Sequence, residues 1–169
     1  MNFDSERLLD DINLKIIDVL SKDSSVPFVE IAKQIGISDA TVHLRVRRLR
    51  DEGIISKFTL SVDNDLLGYD HLSFIGINIR PGLADRITEE LSTIEEVLEV
   101  HEMHGKYDLF VKVRAKDLNH TRDIIENKIR ILPNIVDTQL MTVLKTKKED
   151  QIASLDKHIA ENEWSTSNR

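Results

Sequence analysis

The hydrophobic period changes once along this 169-residue chain, and no single layer of helix or sheet accommodates both halves. Up to about residue 60 the apolar residues recur at three- and four-residue spacing. From Leu72 they alternate, as in "LSFIGINIR", where Ile75, Ile77 and Ile79 share one face. The sequence therefore predicts an α+β protein of two small domains: a helical one over 1–60, a polar linker over 61–71 and a mixed one over 72–147. A polar extension follows over 148–169, in which Ile152, Leu155 and Ile159 suggest a thin helical seam before the disorder-prone "STSNR".

Three helices are expected in the first domain. "DDINLKIIDVLSK" offers an Asp cap at Asp10 or Asp11, then Ile12, Ile16, Val19 and Leu20 at helical spacing. "DSSVP" breaks it. "FVEIAKQIG" is a short second helix that Gly36 stops, and Ser38 caps a third helix running from Asp39 to about Glu52. A small residue, Ala32, four positions before the Gly36 turn completes a helix-turn-helix pattern. "IISKFTLSV" then reads as a strand leading into the linker.

The second domain reads β-α-β-β-α-β, the ferredoxin-like order. After "LSFIGINIR" comes a helix, "GLADRITEELSTI", with Leu83, Ile87, Leu91 and Ile94 inward. Two strands follow, joined at Gly105–Lys106, then a helix capped by Asp117 and ended before Pro133, then a last strand, "IVDTQLMTVLK". Helices on one side of such an antiparallel sheet leave the other side open. "LSFIGINI" and "DLFVKV" are apolar on both faces, so that open side is expected to find a partner.

Net charge is −7, which taken whole argues against a polyanionic partner. Residues 1–60, however, carry 9 Lys+Arg against 10 Asp+Glu, and residues 37–57 carry 5 against 3. Four arginines stand within the six residues Arg45–Arg50. DNA responds to potential within about 8–10 Å at physiological salt, so a basic patch on an acidic body suffices. On a helical wheel Val42, Val46 and Leu49 face inward, and Arg45 lies beside them, placed for an intradomain ion pair with Glu30 or Asp18. The outward side holds Ala40, Thr41, His43, Leu44, Arg47 and Arg48. Ala40 and Leu44 suit thymine methyls, and Arg47 suits guanine. Thr41 and Arg48 suit phosphates, and Ser38 with the first backbone amides, from Asp39 on, suits a phosphate at the helix start. This is the expected DNA-reading helix, and a module this small needs duplication to read two half-sites of a duplex.

The order and spacing of "IAKQIGISDATVHLRVRRLRDEGII", "GKYD" at Gly105–Asp108 and "LPNIVDT" resemble the leucine-responsive/asparagine-operon regulators, the Lrp/AsnC family, over about Leu9 to Lys147. The chain departs from that pattern at Asn13, Ser25 and His104. The resemblance implies a sequence-specific transcription regulator bound to double-stranded DNA. It also implies a homodimer that assembles further into tetramers or octamers, and an amino-acid effector held between dimers. Carried over, the effector site comprises Gly105, Lys106, Tyr107, Asp108, Leu118, Met141, Thr142 and Val143.

Two other classes share this architecture: a sirohaem decarboxylase with a tetrapyrrole in the cleft, and an architectural DNA-coating protein. Only 5% of residues are aromatic, and the arginines sit on a groove-ready helix rather than around a pocket. No Ser/His/Asp set, phosphate loop or paired-acid motif is present, so no enzyme activity is expected. His101 and His104, three apart on a strand, point to opposite faces, so a shared metal is not expected; no cofactor is expected either. The acidic "MNFDSERLLDD" lacks a signal-peptide core, no apolar run approaches membrane-spanning length and there is no cysteine, so a cytoplasmic place is expected.

Overall fold

The computed structural model describes residues 8–150 and 152–155. They divide into two compact units, one reaching to Ser61 and one spanning Val62–Lys147.

The first unit contains α1 (Asp11–Lys22), α2 (Phe28–Ile35) and α3 (Asp39–Asp51). Asp10 is the cap of α1, its carboxylate accepting from Asn13 N at 2.8 Å. At the other end of α1, the Ser25 hydroxyl and then its amide hydrogen-bond Asp23 and hold that carboxyl below the usual range. Gly36 adopts φ 80°, a left-handed conformation that a side chain would oppose, and both Gly36 N and Ile37 N donate to Ala32 O. Ile16, Leu20, Ile31, Ala32, Val42 and Val46 close a common core.

The strand expected at "IISKFTLSV" does not form. A β-strand exists only through a hydrogen-bonded neighbour, and among the described residues this segment finds none. Ile55 N instead closes the end of α3 by donating to Leu49 O at 3.0 Å, and Phe58 lies under the Arg50 guanidinium, 6.0 Å from ring centroid to cation.

The second unit holds β1 (His71–Ile79), α4 (Ala84–Ser92), β2 (Val97–Glu102), β3 (Leu109–Ala115), α5 (Leu118–Ile124) and β4 (Ile135–Thr142). Every neighbour in the sheet, ordered β2-β3-β1-β4, is antiparallel. Ile75 lies opposite Val111, and Ile77 opposite Leu109. These residues with Val113 meet Ile87 and Leu91 of α4 and Ile124 of α5 in the core. Asp117 caps α5 by accepting from His120 N at 2.7 Å. Beyond Ile124 the helix widens into a π turn, Ile125–Ile129, with Arg130 N donating to Ile125 O, so Ile125 and Ile129 both stay buried. Asn134, at φ 75°, then turns the chain into β4.

The other sheet face carries Leu72, Phe74 and Gly76 of β1, Phe110 and Lys112 of β3 and Met141 of β4. Phe74 and Phe110 stack at 5.3 Å between centroids. Residues 152–155 are not helical and Ile152 is exposed, so the expected helical seam is absent there; Ile159 and "STSNR" lie outside the described residues.

Candidate nucleic-acid interface and effector turn

α3 forms because Ser38 caps it: Ser38 Oγ accepts from Thr41 N at 3.1 Å, and the two hydroxyls share a 2.7 Å bond. Val42, Val46 and Leu49 are buried and fix which side faces out. Ala40, His43, Arg47 and Arg48 are exposed, and Leu44 is 68% exposed, an apolar side chain left to water. Among the described residues the Arg47 and Arg48 guanidinium groups make no ion pair or hydrogen bond. His43, though exposed, has neighbours on two sides. Its ring packs edge-on against Phe28 at 4.7 Å, and Asp39 stands 3.8 Å from its Nε2.

Arg45 does make an intradomain ion pair, but its partner is Asp10 rather than Glu30 or Asp18. Nη1 lies 2.6 and 2.8 Å from the two Asp10 oxygens and 3.0 Å from Asn13 Oδ1. Asn13 is buried and its Nδ2 donates to Leu8 O. Asp10 thus caps α1 and ties its start to α3, a pairing across 35 positions that no local pattern reveals. Replacing Asp10 by Ala removes a cap and leaves a half-buried guanidinium short of its carboxylate. The expected cost is about 1–2 kcal/mol, read as a fall in thermal midpoint. Asp10→Asn, which keeps a cap acceptor, should recover about half. An Asp10→Ala protein melting with the parent would show the strut to be idle.

Beside α3 lies a groove of about 720 Å³ walled by Phe28, Leu44, Val46, Ile55 and Phe58 and edged by His43, Arg47 and Arg50. It depends on the strandless segment after α3 folding back, so periodicity alone did not disclose it.

In the second unit Gly105, Lys106, Tyr107 and Asp108 occupy the turn between β2 and β3, closed by Met103 N donating to Asp108 O at 2.8 Å. The turn folds back over the open sheet face. Tyr107 OH and Lys106 Nζ both donate to Gln139 Oε1 on β4, and Lys106 Nζ sits 4.9 Å above the Tyr107 ring. The ring lies against bare backbone at Gly76, where an added Cβ would stand 2.6 Å from it. Gly76 and Gln139 belong to this arrangement and were not anticipated; a glycine inside a run of strand formers was the available signal.

Asp108 has work within its own fold: its Oδ2 accepts from Ile79 N at 2.8 Å and its N donates to Ile77 O. Met141 lies two residues beyond Gln139 on β4, with Thr142 and Val143 following it. Met141 and Thr142 face Phe74 and Ser73, and Val143 N bonds Leu72 O. Leu118 begins α5, exposed.

Near the sheet edge, His101 at 3.1 Å and then Lys112 at 3.0 Å hold the Glu99 carboxyl below its usual range despite partial burial. Lys112, only 9% exposed, is therefore paired on the open face.

A helix-turn-helix with a bare basic face, followed by a ferredoxin-like unit, defines a two-part DNA-binding regulator. The family model for a winged helix-turn-helix DNA-binding domain matches residues 9–56, and that for the Lrp/AsnC ligand binding domain matches residues 72–153. The chain belongs to the Lrp/AsnC family of transcription regulators. The HTH-type transcriptional regulator FL11 of Pyrococcus horikoshii is 40% identical over 144 residues, covering 83% of this chain and 93% of that one. The structure of Escherichia coli AsnC superposes with a TM-score of 0.79 at 29% identity, covering 85% of this chain and 97% of its own. A feast or famine regulatory protein from Mycobacterium tuberculosis, complexed with L-methionine, superposes with a TM-score of 0.80 at 26% identity, covering 86% and 98%. This protein is a DNA-binding regulator of transcription and not an enzyme, which sets aside the decarboxylase reading of the shared fold. Among the described residues no helix is long and apolar enough to cross a membrane.

Proposed function

We propose that this chain acts in the cytoplasm as a homodimer, or a tetramer or octamer of such dimers, that reads operator DNA through α3 under the control of an amino acid. The observation that carries the reading is the outer side of α3, where two arginines without partners among the described residues flank an exposed leucine with no use in the core. Ala40 and Leu44 meet thymine methyls, Arg47 pairs with guanine, and Thr41, Arg48, Ser38 and the Asp39 amide hold phosphates, with His43 at the groove edge. The domain limits that serve this division of labour are 1–60, 61–71, 72–147 and 148–169. Selection of bound duplexes from random DNA tests the reading: a regulator enriches a subset as salt rises, whereas a protein that only coats DNA loses all sequences together.

The effector site is completed by a second copy. The "GKYD" turn of one chain supplies backbone amides for a carboxylate and Asp108 for an ammonium, while Met141, Thr142, Val143 and Leu118 of another measure the side chain. An amino acid is the class the relative solved with L-methionine points to. Because Asp108 also receives Ile79 N, Ala is the wrong probe. Asp108→Asn keeps that acceptor and removes the charge. In a thermal-shift screen of the twenty amino acids, the stabilising ones should lose their effect on this variant, with effector-free DNA binding within about twofold of the parent. An unaltered shift would take Asp108 out of the site.

A further inference from the structure

The groove beside α3 combines half-exposed apolar walls with a basic rim. Phe58 is 42% exposed and Leu44 68%, while His43, Arg47 and Arg50 stand against the single acid Asp51. An occupant of such a surface must bring apolar anchors and carboxylates at close spacing. The C-terminal segment of this chain has that composition. Residues 156–164 carry three acids, Asp156, Glu161 and Glu163, against Lys157, with Ile159 and Trp164 as large apolar side chains.

We propose that residues 156–169 dock in the groove of their own chain, with Ile159 and Trp164 against Phe58 and Leu44 and with Asp156, Glu161 and Glu163 facing Arg47 and Arg50, thereby competing with DNA. Reach is not limiting. The described residues 148–150 and 152–155 group with the N-terminal unit rather than with the sheet they leave. Fourteen residues span up to about 45–50 Å, against a radius of gyration of about 10 Å for a sixty-residue unit. The Lrp/AsnC ligand-binding match stops at residue 153, so the docking segment lies beyond what the two family models describe. Covering Leu44 and Arg47 makes the segment an inhibitor of the same α3 face assigned to DNA; that consequence, unlike the docking itself, rests on the proposed DNA-reading role.

Trp164 is the only tryptophan, so its fluorescence reports docking directly in the full-length protein. The emission should be blue-shifted and shielded from iodide, and Phe58→Ser should move it to the position seen in urea. Solvent-like emission in the parent, or a blue shift that Phe58→Ser leaves in place, would overturn the docking site. The same blue shift should survive in a variant made monomeric by Phe110→Asp; its loss there would assign the groove's occupant to a second copy and overturn docking within the chain. The competition is read separately. Ile159→Ser/Trp164→Ser should tighten binding to a selected duplex roughly three- to tenfold, by freeing the binding-competent state. Unchanged affinity alongside a Phe58-sensitive emission would overturn inhibition, and would leave the DNA-reading role of α3 to be judged by the Arg47 variant alone.

Discussion

Phe110→Asp should turn the protein into monomers and weaken binding to a selected operator by roughly a hundredfold or more. Phe110 stacks on Phe74 on the sheet face that carries no helix, with Leu72 and Met141 beside it. The charged Lys112 on that face is already matched by Glu99. The surface is thus apolar and internally neutralised, and an identical copy related by a two-fold axis can cover it. An unpaired carboxylate buried there costs several kcal/mol, which exceeds what a moderate interface retains. Loss of DNA affinity follows from the proposed dimer, in which two linked helix-turn-helix units bind as one bivalent ligand and a monomer forfeits that effective concentration. Phe110→Leu keeps apolar area and should remain dimeric. Sedimentation together with DNA titration measures both consequences, and a Phe110→Asp protein that sediments with the parent would place the dimer contact elsewhere.

Arg47→Ala should cost about 1–3 kcal/mol on the selected duplex and relax preference at one base pair. The argument is geometric. Buried Val42, Val46 and Leu49 fix the rotation of α3, and the Asp10–Arg45 bridge ties the first turn of α1 to it. Arg47 is then presented on the exposed side with no partner among the described residues to distract its guanidinium. Random DNA should be affected much less, since base contacts discriminate while phosphate contacts do not. Equal loss on selected and random duplexes would mean that Arg47 meets only the backbone. Arg48→Ala, by contrast, should weaken both alike and lower the salt dependence.

Which side of α3 faces out was readable because its cause is local. Capping by Ser38, the stop at Gly36 and the spacing of Val42, Val46 and Leu49 involve residues within a few turns of one another, and 3.6-residue periodicity converts their order directly into sides of a helix. Alternation on β1 and β3 likewise disclosed a sheet apolar on both faces. The strand after α3 misled for the complementary reason: its residue types suit a strand, but strand formation needs a neighbour that sequence spacing does not supply. Arg45 shows the same division within one side chain, since its inward lean was legible but Asp10, thirty-five positions away, was not.

Around the effector turn the local reading ran out sooner. "GKYD" marks a turn, yet the turn's folding onto Gly76 and Gln139, and the engagement of Asp108 by Ile79, arise from register between strands far apart in the chain. The amino-acid sequence by itself settled the two periods, the side of α3 that faces out and the order of sheet elements, because each follows from rules acting over a few residues. Only the tertiary structure decided which carboxylate holds Arg45, what lies over Gly76 and where the groove beside α3 opens. Those depend on distances between segments brought together by burial, a process that rewards total apolar contact and leaves no periodic trace in the chain.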